Sequence, residues 1–392
     1  MTITIGARTL PRFTAKALND KRAFDIVTLN ENIVNIDNFI REIPVLPEWR
    51  ERIRKIELVR AIHGTLAIEG ANVNIEKVQK VVDERKGDTH QNISAEQEVI
   101  NILNAHEFIV SWVINNKDKE ISPSVISQLH TEITRDADYY LNIPGQYRNQ
   151  PVSFGRPIRE SELKSKFEVE EAVNVLVRFI NEEGKDYLES LPIIKALYSH
   201  YLITLIHPFI DGNGRVARAL EALVLHRLGG FEPYFFPITA DFYYKNRIEY
   251  FKLLREADDS GNLIPFIIFA MTGLLENLKR IKKDLLDKIT ESMIMDYIGE
   301  LLKNKKILKR HYSLIELAFP LGKQNMSEFW HNPSIKVLYN HVSESTRKRD
   351  IRRLLTHGLL VIDKDWTQIS VNWDVLKTVT LRLDHIPHRP EG

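Results

Sequence analysis

The stretch His207-Pro208-Phe209-Ile210-Asp211-Gly212-Asn213-Gly214-Arg215-Val216-Ala217-Arg218 decides how the rest of the chain is read. It joins two apolar runs through one proline and two glycines. Upstream, Pro192 opens IIKALYSHYLITLI, with Ile194, Leu197, Tyr198, Tyr201 and Leu205 on one stripe. Downstream, helical spacing runs from Arg215 to Leu228 and stops at Gly229-Gly230. Asn213 and Gly214 fall at the start of the second helix, where backbone N–H groups lack intrahelical acceptors and the dipole favours an anion. Arg215 and Arg218 are neighbours on one helical face. Two cations in a first turn oppose the dipole, an arrangement that a bound polyphosphate would stabilise. Asp211 is a hard oxygen ligand beside that anion site, as a phosphate-bridging Mg²⁺ requires. His207 has the side chain to take a proton from an attacking hydroxyl near pH 7. Base, metal ligand and anion cradle within these 12 residues point to phosphate-group transfer. Residue by residue, a solvated interhelical loop is the simpler reading, but it leaves the paired arginines unexplained. No GxxxxGK[ST] occurs, which sets a P-loop aside.

Outward from this loop the chain reads as mainly helical. Trp49, Ile53, Ile56, Leu58, Ala61, Ile62 and Leu66 recur at helical spacings after Pro47, and Glu69-Gly70 closes that run. Further helices are expected over 94–115, from Ser122-Pro123 onward, over 163–183, 243–257 and 263–286. Asn142 to Glu160, NIPGQYRNQPVSFGRPIRE, changes character and reads as an edge hairpin around Val152-Ser153-Phe154, the one β-feature expected in the first 300 residues. Residues 1–45 show no sustained period and read as an irregular arm. His63, His106, His200 and His226 lack HExxH or paired-ligand spacing and read as structural or surface residues.

Composition removes whole classes of function. The 392 residues carry 54 Lys and Arg against 53 Asp and Glu, a formal +1, so the chain as a whole is neither a basic nucleic-acid binder nor an acidic solvator. With 43% apolar residues it can bury a sizeable core, and its length suits two or three domains. Zero cysteines exclude disulfides, thiolate metal sites and thiol nucleophiles. The start, MTITIGARTLPRF, does not read as a secretory signal, and no window approaches a membrane span. A cytoplasmic protein without membrane contact is the expectation. Past residue 290 the balance shifts: residues 300–360 hold 12 Lys and Arg against 5 Asp and Glu. There SESTRKRDIRRLL, Gly358, Leu359-Leu360-Val361-Ile362 and Thr367–Val371 read as a helix followed by a two-stranded ribbon. That is the pattern of a winged helix-turn-helix, and equally of a protein-contact module. Residues 343–371 are thus a candidate nucleic-acid or protein surface.

The loop resembles the signature of the Fic (filamentation induced by cAMP) family, HPFx[DE]GNGRxxR, with every fixed position present. The resemblance covers roughly residues 50–280. It implies a helical Fic core with a small β-hairpin flap and transfer of a nucleoside monophosphate, usually AMP from ATP, onto a Ser, Thr or Tyr hydroxyl. On that likeness His207 is the general base, Asp211 holds Mg²⁺, and Gly212, Asn213, Gly214, Arg215, Val216, Ala217 and Arg218 cradle the phosphates. Thr65-Leu-Ala-Ile-Glu69-Gly70 is similar to the family's inhibitory motif, [ST]xxxE[GN], which implies Glu69 pairing with Arg218 in a self-restrained enzyme. The flap at 145–158 would hold a target protein as an added strand, and Tyr250 lies where the family has a helix beside the nucleotide base. The expected organisation is an arm at 1–48, a helical region at 49–115 containing the inhibitory helix, a catalytic core at 116–288 and a winged-helix-like domain at 289–392. Other readings stay open: transfer of UMP or another phosphate-containing group, removal of AMP, or a DNA-binding regulator whose core senses nucleotide. A homo-oligomer coupled to release of Glu69 is a further reading.

Overall fold

The computed structural model describes residues 2–5, 8–11, 20–84, 93–137, 139–154, 159–184, 186–231 and 239–377. The fold is predominantly helical and forms two compact units, Met1–Lys283 and Asp284–Gly392. The first unit takes in both the arm and the helical region that the sequence analysis set apart, and the division falls slightly before the boundary placed there at 288/289. No helix among the described residues is long and apolar enough to cross a membrane.

The first unit opens with an antiparallel hairpin, β1 (Thr2–Ile5) against β2 (Arg8–Pro11), in register Ile3↔Leu10. Helix α1 (Asp20–Glu42) follows. Both correct the expectation of an irregular arm. The buried stripe of α1 is Ile26, Ile33 and Ile40, one apolar residue every seven, with the polar Asn30 and Asp37 buried between them. Two of these five buried positions are therefore polar, which hides the period of the stripe from a hydrophobicity reading. Arg50 closes the end of α1 by donating to the carbonyls of Ile40 (3.0 Å) and Ile43 (3.1 Å).

Helix α2 (Pro47–Glu69) starts with Pro47 at its first position and ends in a left-handed Gly70, φ 92°. Gly70 N–H donates to Ala67 O and Ala71 N–H to Leu66 O, both at 3.1 Å, a paired C-terminal cap that sets the direction of Glu69. Gly64 lets α2 approach α10 (Ala240–Lys245): a Cβ there would lie 2.8 Å from the Ala240 carbonyl. Helices α3 (Ile75–Glu84), α4 (Ile93–Asn115) and α5 (Pro123–Thr134) come next. A short antiparallel pair follows, β3 (Ser153–Phe154) with β4 (Arg159–Glu160). Then α6 (Lys166–Asn181) is started by a Ser165–Glu168 capping box, before the single turn α7 (Tyr187–Ser190).

At the centre lie α8 (Pro192–Ile206) and α9 (Asn213–Gly229), packed side by side. Both are buried around most of their circumference, as core helices are. Helices α2, α4 and α5 pack on α9, and α6 on α8. The helix expected over 243–257 is divided at Asn246, whose side chain donates to Phe242 O (3.0 Å), giving α10 and α11 (Arg247–Ser260). The next helix, α12 (Ile264–Lys303), runs well past its expected end at 286 and contains the division between the units.

The second unit orders its elements as α13 (Lys309–Ala318), β5 (Gln324–Asn325), α14 (Met326–His331), α15 (Pro333–Leu338), α16 (Glu344–Thr356), β6 (Leu360–Ile362) and β7 (Gln368–Val371). Its antiparallel sheet has the order β5-β7-β6. Ser343 caps α16 by accepting from Thr346 N–H (3.3 Å).

Candidate active site

The loop between α8 and α9 is shaped by its own residues before any ligand acts on it. His207 ends α8 in the left-handed region, φ 48°, and its N–H closes the helix on Ile203 O (2.9 Å). Asn213 clamps the turn: its Oδ1 accepts from Phe209 N–H and its Nδ2 donates to Phe209 O, each at 2.9 Å. Gly212, φ 77°, takes the bend at which α9 begins. The first helical bond is Val216 N–H to Gly212 O (2.9 Å), so the amides of Asn213, Gly214 and Arg215 precede it and face the end of the helix. Asn213 is therefore scaffold and anion cradle at once.

Two arginines extend from that first turn and are both deeply buried. Arg218 donates through Nε to Thr65 Oγ1 (2.7 Å) and through Nη2 to Thr65 O (3.2 Å) and Glu69 Oε1 (2.6 Å). Its Nη1 has no hydrogen-bond acceptor among the described residues. The Glu69 carboxylate stands directly over the helix start, since a Cβ on Gly214 would lie 2.3 Å from Glu69 Oε1. Burial disfavours its charge, but Arg218, with Arg215 and His207 further off, more than offsets this, and the carboxyl sits below the usual range. Arg215 points the other way. It donates to Asp211 Oδ1 (3.1 Å) and to the hydroxyl of Tyr139, whose own proton goes to Glu98 (2.6 Å).

Asp211 is about half exposed. Both hydrogen bonds to its carboxylate, from Arg215 and from Gly212 N–H (2.5 Å), go to Oδ1. Oδ2 is left without a bond among the described residues. No group of three or more His, Asp or Glu side chains that could hold a metal ion occurs among the described residues. A single open carboxylate oxygen beside an anion cradle nevertheless fits Mg²⁺, which takes one or two carboxylates and completes its shell with phosphates and water.

Residues 120–225 match the Fic/DOC family. This segment is a Fic domain. Over 208 residues the chain is 30% identical to the protein adenylyltransferase fic-1 of Caenorhabditis elegans, covering 53% of this chain and 37% of that protein. It is 27% identical over 208 residues to the protein adenylyltransferase Fic of Nematostella vectensis, covering 53% and 45%. The chain thus spans less than half the length of these curated relatives. A Fic family protein from Desulfovibrio desulfuricans has a similar fold, with a TM-score of 0.55 at 18% identity over 92% of this chain and 98% of that one. Fic-1 of C. elegans, residues 134 to 508, is similar with a TM-score of 0.54 at 23% identity over 66% and 72%.

Four supports of the Fic loop escaped the sequence reading. Arg148 is buried and joins the base of the hairpin to the loop, donating to His207 O (2.7 Å) and Leu163 O (2.9 Å) and, through its amide, to Pro208 O (2.9 Å). His130 receives Gly145 N–H on Nδ1 (2.8 Å), so Nε2 carries the proton and donates to Asp211 O (3.1 Å). Its ring stacks on Phe209 at 3.7 Å, and burial pushes its pKa down to about 4. Tyr139 and Glu98 complete the set through Arg215. All four lie 59 to 117 residues along the chain from the partners they hold within 207–215. The GQYR segment around Arg148 was the one signal within reach.

Tyr250 needs correction. The expected contact with a nucleotide base requires an open ring face, whereas Tyr250 is 1% exposed and stacks on Tyr243 at 4.7 Å. Its hydroxyl meets His200 Nε2 (2.9 Å), and His200 Nδ1 meets Glu221 (2.6 Å). Burial raises the Tyr250 pKa despite Arg218 beside it. His106 and His226 are also buried, while the flap tip at 155–158 lies outside the described residues.

Proposed function

We propose that this chain transfers AMP from ATP to a Ser, Thr or Tyr hydroxyl of a target protein, and that Glu69 restrains it. The observation that carries the reading is a carboxylate set against an anion cradle, with Glu69 over Gly214 and paired with Arg218 at 2.6 Å. Helix N-termini with arginines recruit phosphate by the same physics. The names of the curated relatives support adenylyl transfer as the chemistry.

In the working state Glu69 swings aside and leaves Arg218 in place for the terminal phosphates of ATP. The amides at the start of α9 take the remaining phosphate oxygens. Asp211 would hold Mg²⁺, which when bound would supply charge neutralisation to the phosphates. His207 accepts the proton of the target hydroxyl as its oxygen bonds to the α-phosphorus and the bond to the pyrophosphate oxygen breaks. Positioning and charge stabilisation supply most of the rate. The target chain adds as a strand beside β3–β4, held by main-chain bonds that tolerate many sequences. Zero cysteines fit a cytoplasmic setting.

The test is incorporation of α-labelled ATP, with Mg²⁺, into the protein itself and into lysate proteins. Glu69→Gly is expected to raise labelling at least about tenfold, equivalent to roughly 1.4 kcal/mol. Glu69→Gly/His207→Ala is expected to label about 10²–10⁴-fold more slowly than Glu69→Gly, the usual worth of a general base. ATP bound by Glu69→Gly without any labelled protein would favour a nucleotide-sensing regulator instead.

A further inference from the structure

Helix α16 has two chemically opposite faces. Asp350, Ile351 and Leu354 are buried in the second unit. Ser345, Lys348, Arg349, Arg352 and Thr356 are exposed, at spacings that place them within an arc of roughly 100° on the far side. Two other arginines of α16 are tied to the protein: Arg353, beside this arc, donates to Lys306 O (2.7 Å), and Arg347, on the buried side, donates to Tyr339 O (3.1 Å). The arginines within the arc are not. Arg349 and Arg352 have no ion pair among the described residues, and Lys348 only an exposed one with Glu344 (2.7 Å).

We propose that the second unit is a winged-helix module that binds duplex DNA, with the Lys348–Arg349–Arg352 face of α16 entering the major groove. The stripe spans about 16 Å of a convex helix, and the groove is about 12 Å wide between phosphate rows. The stripe itself contains hydroxyls and cations and no apolar side chain, which suits phosphates and base edges. A second observation concerns the β6–β7 turn. Asp363 staples it by accepting from Thr367 N–H (2.7 Å) and Gln368 N–H (2.9 Å), and Trp366 stands exposed at φ 57°. Trp366, Trp330, Lys348 and Arg352 share a cavity of about 630 Å³, so the turn lies on the same side as two of the three cations. Helix and turn thus flank one cleft and face the same side, as helix and wing do.

The experiment is fluorescence anisotropy of the full chain with a labelled mixed-sequence DNA duplex of about 24 base pairs at roughly 50 and 200 mM salt. Binding is expected in the micromolar range at the lower salt, weakening steeply at the higher. Lys348→Ala/Arg349→Ala/Arg352→Ala is expected to weaken it at least tenfold and to flatten the log–log salt slope by about 2 to 3, near 0.9 per lost phosphate contact. Lys303→Ala/Lys377→Ala, equally exposed cations of the same unit, is expected to leave binding unchanged. Thermal unfolding of each variant checks the fold, which exposed substitutions should preserve. No duplex binding by wild type, tighter binding of single-stranded RNA or of polyglutamate, or an unaffected triple variant would each overturn the proposal.

Discussion

Two arginine–carboxylate pairs, one in each unit, share a 2.6 Å contact and little else. In the second unit the carboxylate is the buried partner. Asp350 is 2% exposed and accepts from Arg310 Nε (2.6 Å) and Nη2 (3.0 Å) and from the Tyr339 hydroxyl (3.2 Å), with His311 Nε2 2.9 Å away. In the first unit the arginine is the buried partner: Arg218 is 1% exposed, while Glu69 keeps 36% of its side chain accessible. Asp350 is surrounded and has nowhere to go. Glu69 leans in from a helix end, so the pair can part with the arginine left in place for another anion. The difference separates a structural ion pair from one suited to exchange.

The largest effect that would sharpen this contrast is expected at the structural pair. Asp350→Ala removes the acceptor for three donors and should cost the second unit about 3 kcal/mol or more. Hydrogen exchange should show the loss across residues 309–371 and leave the α8–α9 hairpin protected. An intermediate effect is expected at the helix contact that aims Glu69. Gly64→Ala places a methyl against the Ala240 backbone and should cost about 1–3 kcal/mol of overpacking. Chemical denaturation measures that cost, and labelling with ATP should rise with it, because α2 must shift to admit the methyl. If labelling stays at the wild-type level, the grip of Glu69 does not depend on the α2–α10 contact.

The smallest effect is expected from pH. The folded carboxyl of Glu69 titrates below its ordinary 4.5, so the pair's contribution is fully present above that value and lost as pH falls through the lower, folded one. Wild-type labelling should therefore not be released between pH 8 and 5, whereas Glu69→Gln should release it across the whole range. A wild-type rise near pH 6 would show that the exchangeable pair is held more weakly than its geometry indicates.

The Fic loop was legible because its residues are contiguous and each type has a local physical reason: glycine for the bend, asparagine for the clamp, arginine for the anion. The pairing of Glu69 with Arg218 was legible only through a resemblance, since nothing local links positions so far apart. Arg148, His130 and Tyr139 were not legible. Each is an ordinary residue in its own helix or turn and gains its role from a partner reached through the fold. Helix α1 was missed for another reason, because Asn30 and Asp37 occupy buried positions where a periodicity reading looks for apolar side chains. The longer α12 and the break at Asn246 reflect element boundaries, which packing decides more than propensity does.

His207 closes α8 in a backbone conformation that a glycine or asparagine would occupy with less strain. A bulky residue held there costs on the order of 1 kcal/mol, and the surrounding bonds from Arg148 and Asn213 keep the loop in that shape regardless. Thermostability and activity therefore pull in opposite directions at this position. With the proposed role of His207 as base, its replacement by glycine or asparagine would raise the melting temperature and remove transfer together.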